Sequence, residues 1–285
     1  MKCYLRKALG KKWPGGLEGR WNTIAILFNI MNVHDRIIDW AQKTECAYKR
    51  IEESLPEGGL PFYTQSNLSR INSDVDLFLA GINPGSGGNF KQQENNSNWK
   101  YLNENNGSHI IKGNYCCNFW DNRNCWPYWQ RIKSYFRETI ISSVLEDDSK
   151  FILSNASFFA TKKADNIQET LLEKTMPYTL ELIAITNPKI IVFFSGKKSF
   201  PRIRKIVKEH RFKYTKIFDY ILIGELDGHY CIGVPHPSCW SSEQKKITRI
   251  ALTVLTKFNS YYEVDVENVK KECQSIYSEK KNLLH

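Results

Sequence analysis

Short apolar runs that each end in a tight turn, separated by stretches of helical spacing, leave this chain little freedom in how it folds. Residues 75–80 form the first run and pass directly into Gly81-Ile82-Asn83-Pro84-Gly85. Residues 151–159, 189–194 and 230–234 form the others, the third stopped by Ser195-Gly196 and the last by Pro235. Runs of this length and composition, bounded by turn residues, are strands. Between them, residues 129–145, 169–186 and 200–210 carry apolar side chains at helical spacing. A last helix is expected over 242–258, with Ser242 as N-cap and Glu243 in its first turn. Pro177 is expected to kink or divide the helix in which it lies. Strands alternating with helices imply an α/β fold, here a three-layer α/β/α sandwich around a mostly parallel, four-stranded central sheet. Residues 214–224 alternate only loosely, and no element is assigned to them.

A chain of 285 residues, 41% of them hydrophobic, fits one elaborated domain better than two. Helical spacing within 21–55 (Ile24, Leu27, Phe28, Met31, Ile37, Ile38, Trp40) marks residues 1–60 as a helical extension packed on the core. The core domain spans 61–260, and 261–285 is a C-terminal helix and tail. Residues 86–114, rich in Asn, Gln and Gly, have neither period and read as a long surface loop inserted in that domain. The longest apolar stretch, 24–33, is interrupted by Asn29 and Asn32 and is too short to span a bilayer. Met1-Lys2-Cys3 leads into Lys and Arg with no apolar signal core, so a cytoplasmic location is expected. The eight cysteines include no CxxC pair and no Cys/His grid, and a reduced interior follows. Cys116, Cys117 and Cys125 do cluster, but without paired iron–sulfur spacing, so no metal or other cofactor is expected. Forty Lys plus Arg against thirty Asp plus Glu give a formal charge of +10, which favours a polyanionic partner such as nucleic acid.

In open α/β sheets ligands bind beyond the carboxyl ends of the strands. Three ends are informative: Gly81-Ile82-Asn83-Pro84-Gly85 after the first strand, Asn155 on the second, and Pro235-His236-Pro237-Ser238 after the last. Taken in that order and placement, over residues 75–256, these motifs resemble the uracil-DNA glycosylase superfamily. GINPG is similar to the motif of its mismatch-specific and thymine glycosylases. HPS is similar to that of the uracil and single-strand-selective ones. The helical extension and the 86–114 loop have no assigned counterpart.

The resemblance implies a monofunctional, metal-free DNA glycosylase. Such an enzyme flips a pyrimidine out of DNA and hydrolyses its bond to deoxyribose, leaving an abasic site. The reaction passes through an oxocarbenium-like sugar and an anionic base, so the enzyme must orient water and stabilise the departing charge. Asn83 matches the water-holding position, where an amide orients water but cannot take its proton, unlike the Asp of faster relatives. His236 matches the electrophile that donates to the base carbonyl, a task a neutral imidazole performs through one N–H; the other reading is a loop histidine bonded to backbone. Asn155 matches the amide that reads the base's pairing edge; the other reading is a buried Asn satisfying strand-end backbone. Gly81, Ile82, Pro84 and Gly85 would line the base pocket, with Phe90 stacking on the base and Phe119 or Trp120 as alternative stackers or core residues. Ser86, Gly87, Gly88 and Ser238 would meet phosphates. Trp240 falls where relatives place a duplex wedge, or is a packing lid. Lys245, Lys246 and Arg249 either meet the backbone or form a solvated face.

Gly85 stands where uracil-specific relatives carry a tyrosine that blocks the pyrimidine C5 position. That opening suits a C5-enlarged base, such as the glucosylated hydroxymethylcytosine of phage DNA, and an anti-phage defence role. The expected partner is single- or double-stranded DNA carrying a modified or deaminated pyrimidine, bound by a monomer without any membrane. A base-excision-repair glycosylase for uracil or other deaminated bases is one alternative, and a noncatalytic DNA-binding member is another. GINPGSGG lacks the Lys-Ser/Thr ending of a nucleotide hydrolase's phosphate loop.

Overall fold

The computed structural model describes residues 32–55, 66–84, 107–115, 118–161, 167–208, 210–238 and 242–282. Helix α1 (Val33–Glu53) is capped by the Asn32 side chain and precedes strand β1 (Leu77–Gly81). A short helix, α2 (Ser108–Lys112), and a two-stranded ribbon, β2 (Asn114–Tyr115) with β3 (Asn118–Phe119), follow. Helices α3 (Pro127–Phe136) and α4 (Ile141–Val144) then lead to β4 (Phe151–Asn155). The rest of the chain forms α5 (Glu169–Thr186), β5 (Ile190–Phe194), α6 (Gly196–Val207), β6 (Phe212–Phe218), β7 (Ile221–Leu226), β8 (His229–Val234), α7 (Ser242–Leu255) and α8 (Val266–Asn282).

The main sheet runs β4-β1-β5-β8-β7-β6. Its first four strands are parallel, as read from the sequence, but β7 and β6 extend it antiparallel to six strands rather than four. Those two come from the segment given no element, because β6 keeps one buried residue at each end of an otherwise half-exposed edge strand. Alternate side chains divide the core in two. Phe78, Ala80, Ile152, Ile191 and Phe193 face α1, α5 and α6. Leu79, Leu153, Val192, Phe194 and Ile232 face α3, α7 and α8. Helices therefore cover both faces of a three-layer α/β/α architecture. Residues 1–31 and 56–60 of the expected extension lie outside the described residues, while its helix α1 belongs to this core: Ile37, Trp40 and Tyr48 are fully buried, and the Trp40 indole donates to the Tyr178 carbonyl on α5.

Several boundaries differ from the sequence reading. Residues 129–145 are not one helix: α3 stops at Phe136, Glu138 has φ 66°, and α4 is separate. The Arg249 guanidinium donates to the Ser134 and Tyr135 carbonyls, satisfying last-turn groups of α3 that a longer helix would bond internally. Helix α5 instead passes through Pro177 undivided. Both Pro177 and Glu173, whose carbonyl loses its donor, are exposed, so water can take that bond. Residues 108–112 of the expected loop are helical. The strand expected over 151–159 ends at Asn155, where the chain turns to pair with the segment after β1. Among the described residues, no helix is long and apolar enough to cross a membrane.

The chain passes from β1 outward to β4, then back across β1 to β5 and on to β8. Its winding direction reverses between β1 and β5, the position at which open α/β sheets hold a ligand crevice beyond their carboxyl ends. The ends are flush. Gly81 pairs with Asn155, Ala80 with Phe193, and Phe194 with Val234, which sets Asn155, Gly81, Phe194 and Val234 in one row.

Candidate active site

Asn83 lies two residues beyond that row on the β1 tip and is 6% exposed. The backbone around it is held by the segment after β4: Ala156 N–H donates to Gly81 O, Ser157 N–H to Ile82 O, and Thr161 N–H to Pro84 O. These bonds create a socket for the Asn83 amide. Nδ2 donates to Thr161 Oγ1 at 2.9 Å and to Phe159 O at 3.1 Å, with Pro84 O at 3.3 Å. Three oxygens around one atom fix the amide's orientation, since a flipped carboxamide would face acceptors with an acceptor. Oδ1 is left buried and, among the described residues, without a hydrogen-bond partner. A buried orphan acceptor costs about 1–3 kcal/mol, so its presence at a strand tip marks a place for a water or ligand donor.

Asn155 ends β4 beside it, 3% exposed, with its Nδ2 also buried and, among the described residues, unpartnered. Its side chain leans over Gly81: a Cβ there would lie 2.5 Å from Asn155 Oδ1. Gly81 thus opens the passage through which the amide reaches toward β5. Asn155 as a strand-end filler would use its side chain on backbone, yet it is the backbone carbonyl of Asn155 that is satisfied, by Thr179 Oγ1 at 2.8 Å.

His236 stands two residues past β8. With β5 between β1 and β8, the two tips are two strand spacings, about 10 Å, apart at the same edge of the sheet. The imidazole is stacked on Tyr128 of α3, with centroids 5.5 Å apart and planes at 12°, and meets the Phe194 ring edge-on at 6.2 Å. Its Nδ1 accepts the Ser238 backbone N–H at 3.2 Å, so the neutral ring carries its proton on Nε2. Burial, followed by the nearby Arg131 charge, lowers the His236 pKa to about 4. At neutral pH His236 is therefore an uncharged donor with a single N–H.

Arg131, one helical turn after Tyr128, donates from Nη1 to Ser238 Oγ at 3.0 Å. Neither Tyr128 nor Arg131 belongs to a motif, and neither does Thr161. The i, i+3 spacing of Tyr128 and Arg131 along the edge of α3's buried face was the available signal.

Of the remaining expected site residues, Ile82 and Pro84 are buried beside Asn83. Gly85, Ser86, Gly87, Gly88, Phe90 and Trp240 lie outside the described residues, as do Cys116, Cys117 and the side chain of Phe119. Trp120 packs in the core against Trp126, Trp129 and Phe151, which excludes it as a stacking platform. The basic trio on α7 is engaged by the protein: Lys245 donates to Ser134 Oγ, Lys246 sits over the Tyr277 ring, and Arg249 holds the end of α3. Cys125 is exposed, and among the described residues no three His, Cys, Asp or Glu side chains converge.

The fold and this edge define an α/β protein whose winding reversal carries a neutral imidazole donor together with a buried acceptor and a buried donor that have no hydrogen-bond partner among the described residues. No protein-family model matches the chain, and no curated protein matches it either.

Proposed function

We propose that this protein is a monofunctional DNA glycosylase of the uracil-DNA glycosylase type, which hydrolyses the N-glycosidic bond of a flipped-out pyrimidine. The pairing of Asn83 and His236 across the crevice carries the reading. The free Asn83 Oδ1 accepts a hydrogen from water and aims its oxygen at C1′. As that oxygen bonds to C1′, the N1–C1′ bond breaks and its electron pair leaves with the base. His236 Nε2–H donates to the base carbonyl on which this charge collects, and Asn155 Nδ2 donates to an acceptor on the pairing edge. Asn83 takes no proton, so the water's proton passes to solvent and turnover is modest.

The substrate is read from the sequence. Glycine at position 85 removes the wall that tyrosine supplies in uracil-specific relatives, so a C5-enlarged cytosine of phage DNA enters and the role is anti-phage defence. The enzyme acts in the cytoplasm, as a monomer, and without a cofactor. The inability of Asn83 to accept a proton favours a second reading, a noncatalytic DNA-binding member. DNAs carrying uracil, a mismatched thymine or glucosylated hydroxymethylcytosine, treated with protein and then alkali, separate these readings. Strand cleavage at the glucosylated base supports defence, cleavage confined to uracil supports repair, and binding without cleavage supports the noncatalytic reading.

A further inference from the structure

We propose that Arg131 joins Ser238, whose phosphate contact the resemblance already implies, in gripping one backbone phosphate of the DNA strand, and that filling this seat fixes the His236 imidazole. The inference rests on the DNA reading of the crevice. Arg131 projects from α3 beside His236, is exposed, and forms no ion pair among the described residues. Its contact with Ser238 Oγ uses one of five guanidinium N–H groups. The others remain in the planar fork that fits two phosphate oxygens.

Ser238 adds a second donor. Because its Oγ accepts from Arg131, its own hydrogen is left to donate to an anion. The Ser238 backbone N–H is already engaged by His236 Nδ1 at 3.2 Å. An anion held by Arg131 and the Ser238 hydroxyl therefore immobilises the residue that sets the imidazole's tautomer. The aromatic neighbours of the ring, Tyr128 and Phe194, are uncharged, and among the described residues no carboxylate pairs with Arg131.

The test is the salt dependence of binding to an unmodified DNA duplex, measured for wild type, Arg131→Gln, Arg131→Lys and a surface control, Lys174→Gln, on the opposite face of the sheet. Loss of one phosphate contact lowers the slope of log K against log salt by about 0.9. Arg131→Gln should show that drop and bind roughly ten- to a hundredfold more weakly. Arg131→Lys should keep the slope while losing part of the affinity, and the control should match wild type. Inorganic phosphate should compete only at far higher concentration than DNA. The His236 ring signal in NMR should sharpen or shift on DNA binding in wild type and not in Arg131→Gln. Equal slopes for wild type and Arg131→Gln, with DNA bound by both, would overturn the phosphate seat alone. Failure of wild type to bind any DNA would overturn the glycosylase reading and this inference with it.

Discussion

Replacing Asn83 by Asp is the obvious way to install a general base, and the socket opposes it. In the Asp variant the oxygen that replaces Nδ2 would face Phe159 O at 3.1 Å and Pro84 O at 3.3 Å with no hydrogen to give. Thr161 can turn its hydroxyl to donate, so one of three contacts is kept. Leaving buried carbonyls unpaired costs about 1–3 kcal/mol, and burying the charge adds to it. A net penalty of roughly 3 kcal/mol at neutral pH corresponds to raising the new carboxyl about two units, from about 4 to about 6. The sign follows: a carboxyl raised in the folded state favours folding when protonated. The penalty is thus absent below about pH 4, grows as pH rises, and is complete above about pH 6. Urea unfolding of Asn83→Asp against wild type, from pH 4 to 8, reads this difference directly. Base excision by the variant should gain an acidic limb near pH 6 that wild type, with an amide, does not have. A variant as stable as wild type at pH 8, or one lacking the limb, would refute the acceptor-lined socket.

His236 titrates near pH 4 in the folded protein, below its unfolded value of about 6.5. The stability contributed by its neutral form is therefore complete above pH 6.5 and is lost as pH falls from 6.5 to 4. That loss is on the order of 2–3 kcal/mol, and denaturation of His236→Gln should not show it. Wild-type excision should likewise hold its rate down to about pH 5. Gly81→Ala drives a methyl into Asn155 Oδ1, the end of a movable side chain; the fold should survive within about 1.5 kcal/mol, while single-turnover excision falls at least tenfold. Tyr48→Phe strips the partner from the buried Phe158 N–H, bonded at 3.1 Å, and should cost about 1–3 kcal/mol in urea unfolding.

Strand tips carried most of what the sequence could say. Asn83, Asn155 and His236 follow apolar runs, and parallel pairing sets such ends side by side. Their partners come from elsewhere: Thr161 from the return after β4, Tyr128 and Arg131 from a helix before it. No local pattern announces a contact made by tertiary packing. The break after Phe136 was hidden for the same reason, since Arg249 reaches it from α7. The antiparallel extension was different, because its signal was present. Asp227-Gly228 joins β7 to β8 with φ 50° and 86°, the paired positive angles of a tight hairpin turn, and Asp-Gly is the dipeptide that prefers them.

The central claim is that residues on two separate tips act on one nucleobase, and single-turnover release of free base, followed by mass spectrometry, tests it most directly. Wild type, Asn83→Ala and His236→Ala should bind the modified DNA alike, with each variant releasing base at least a hundredfold more slowly. Unchanged release in either variant, or no base freed by wild type from any bound DNA, would contradict it.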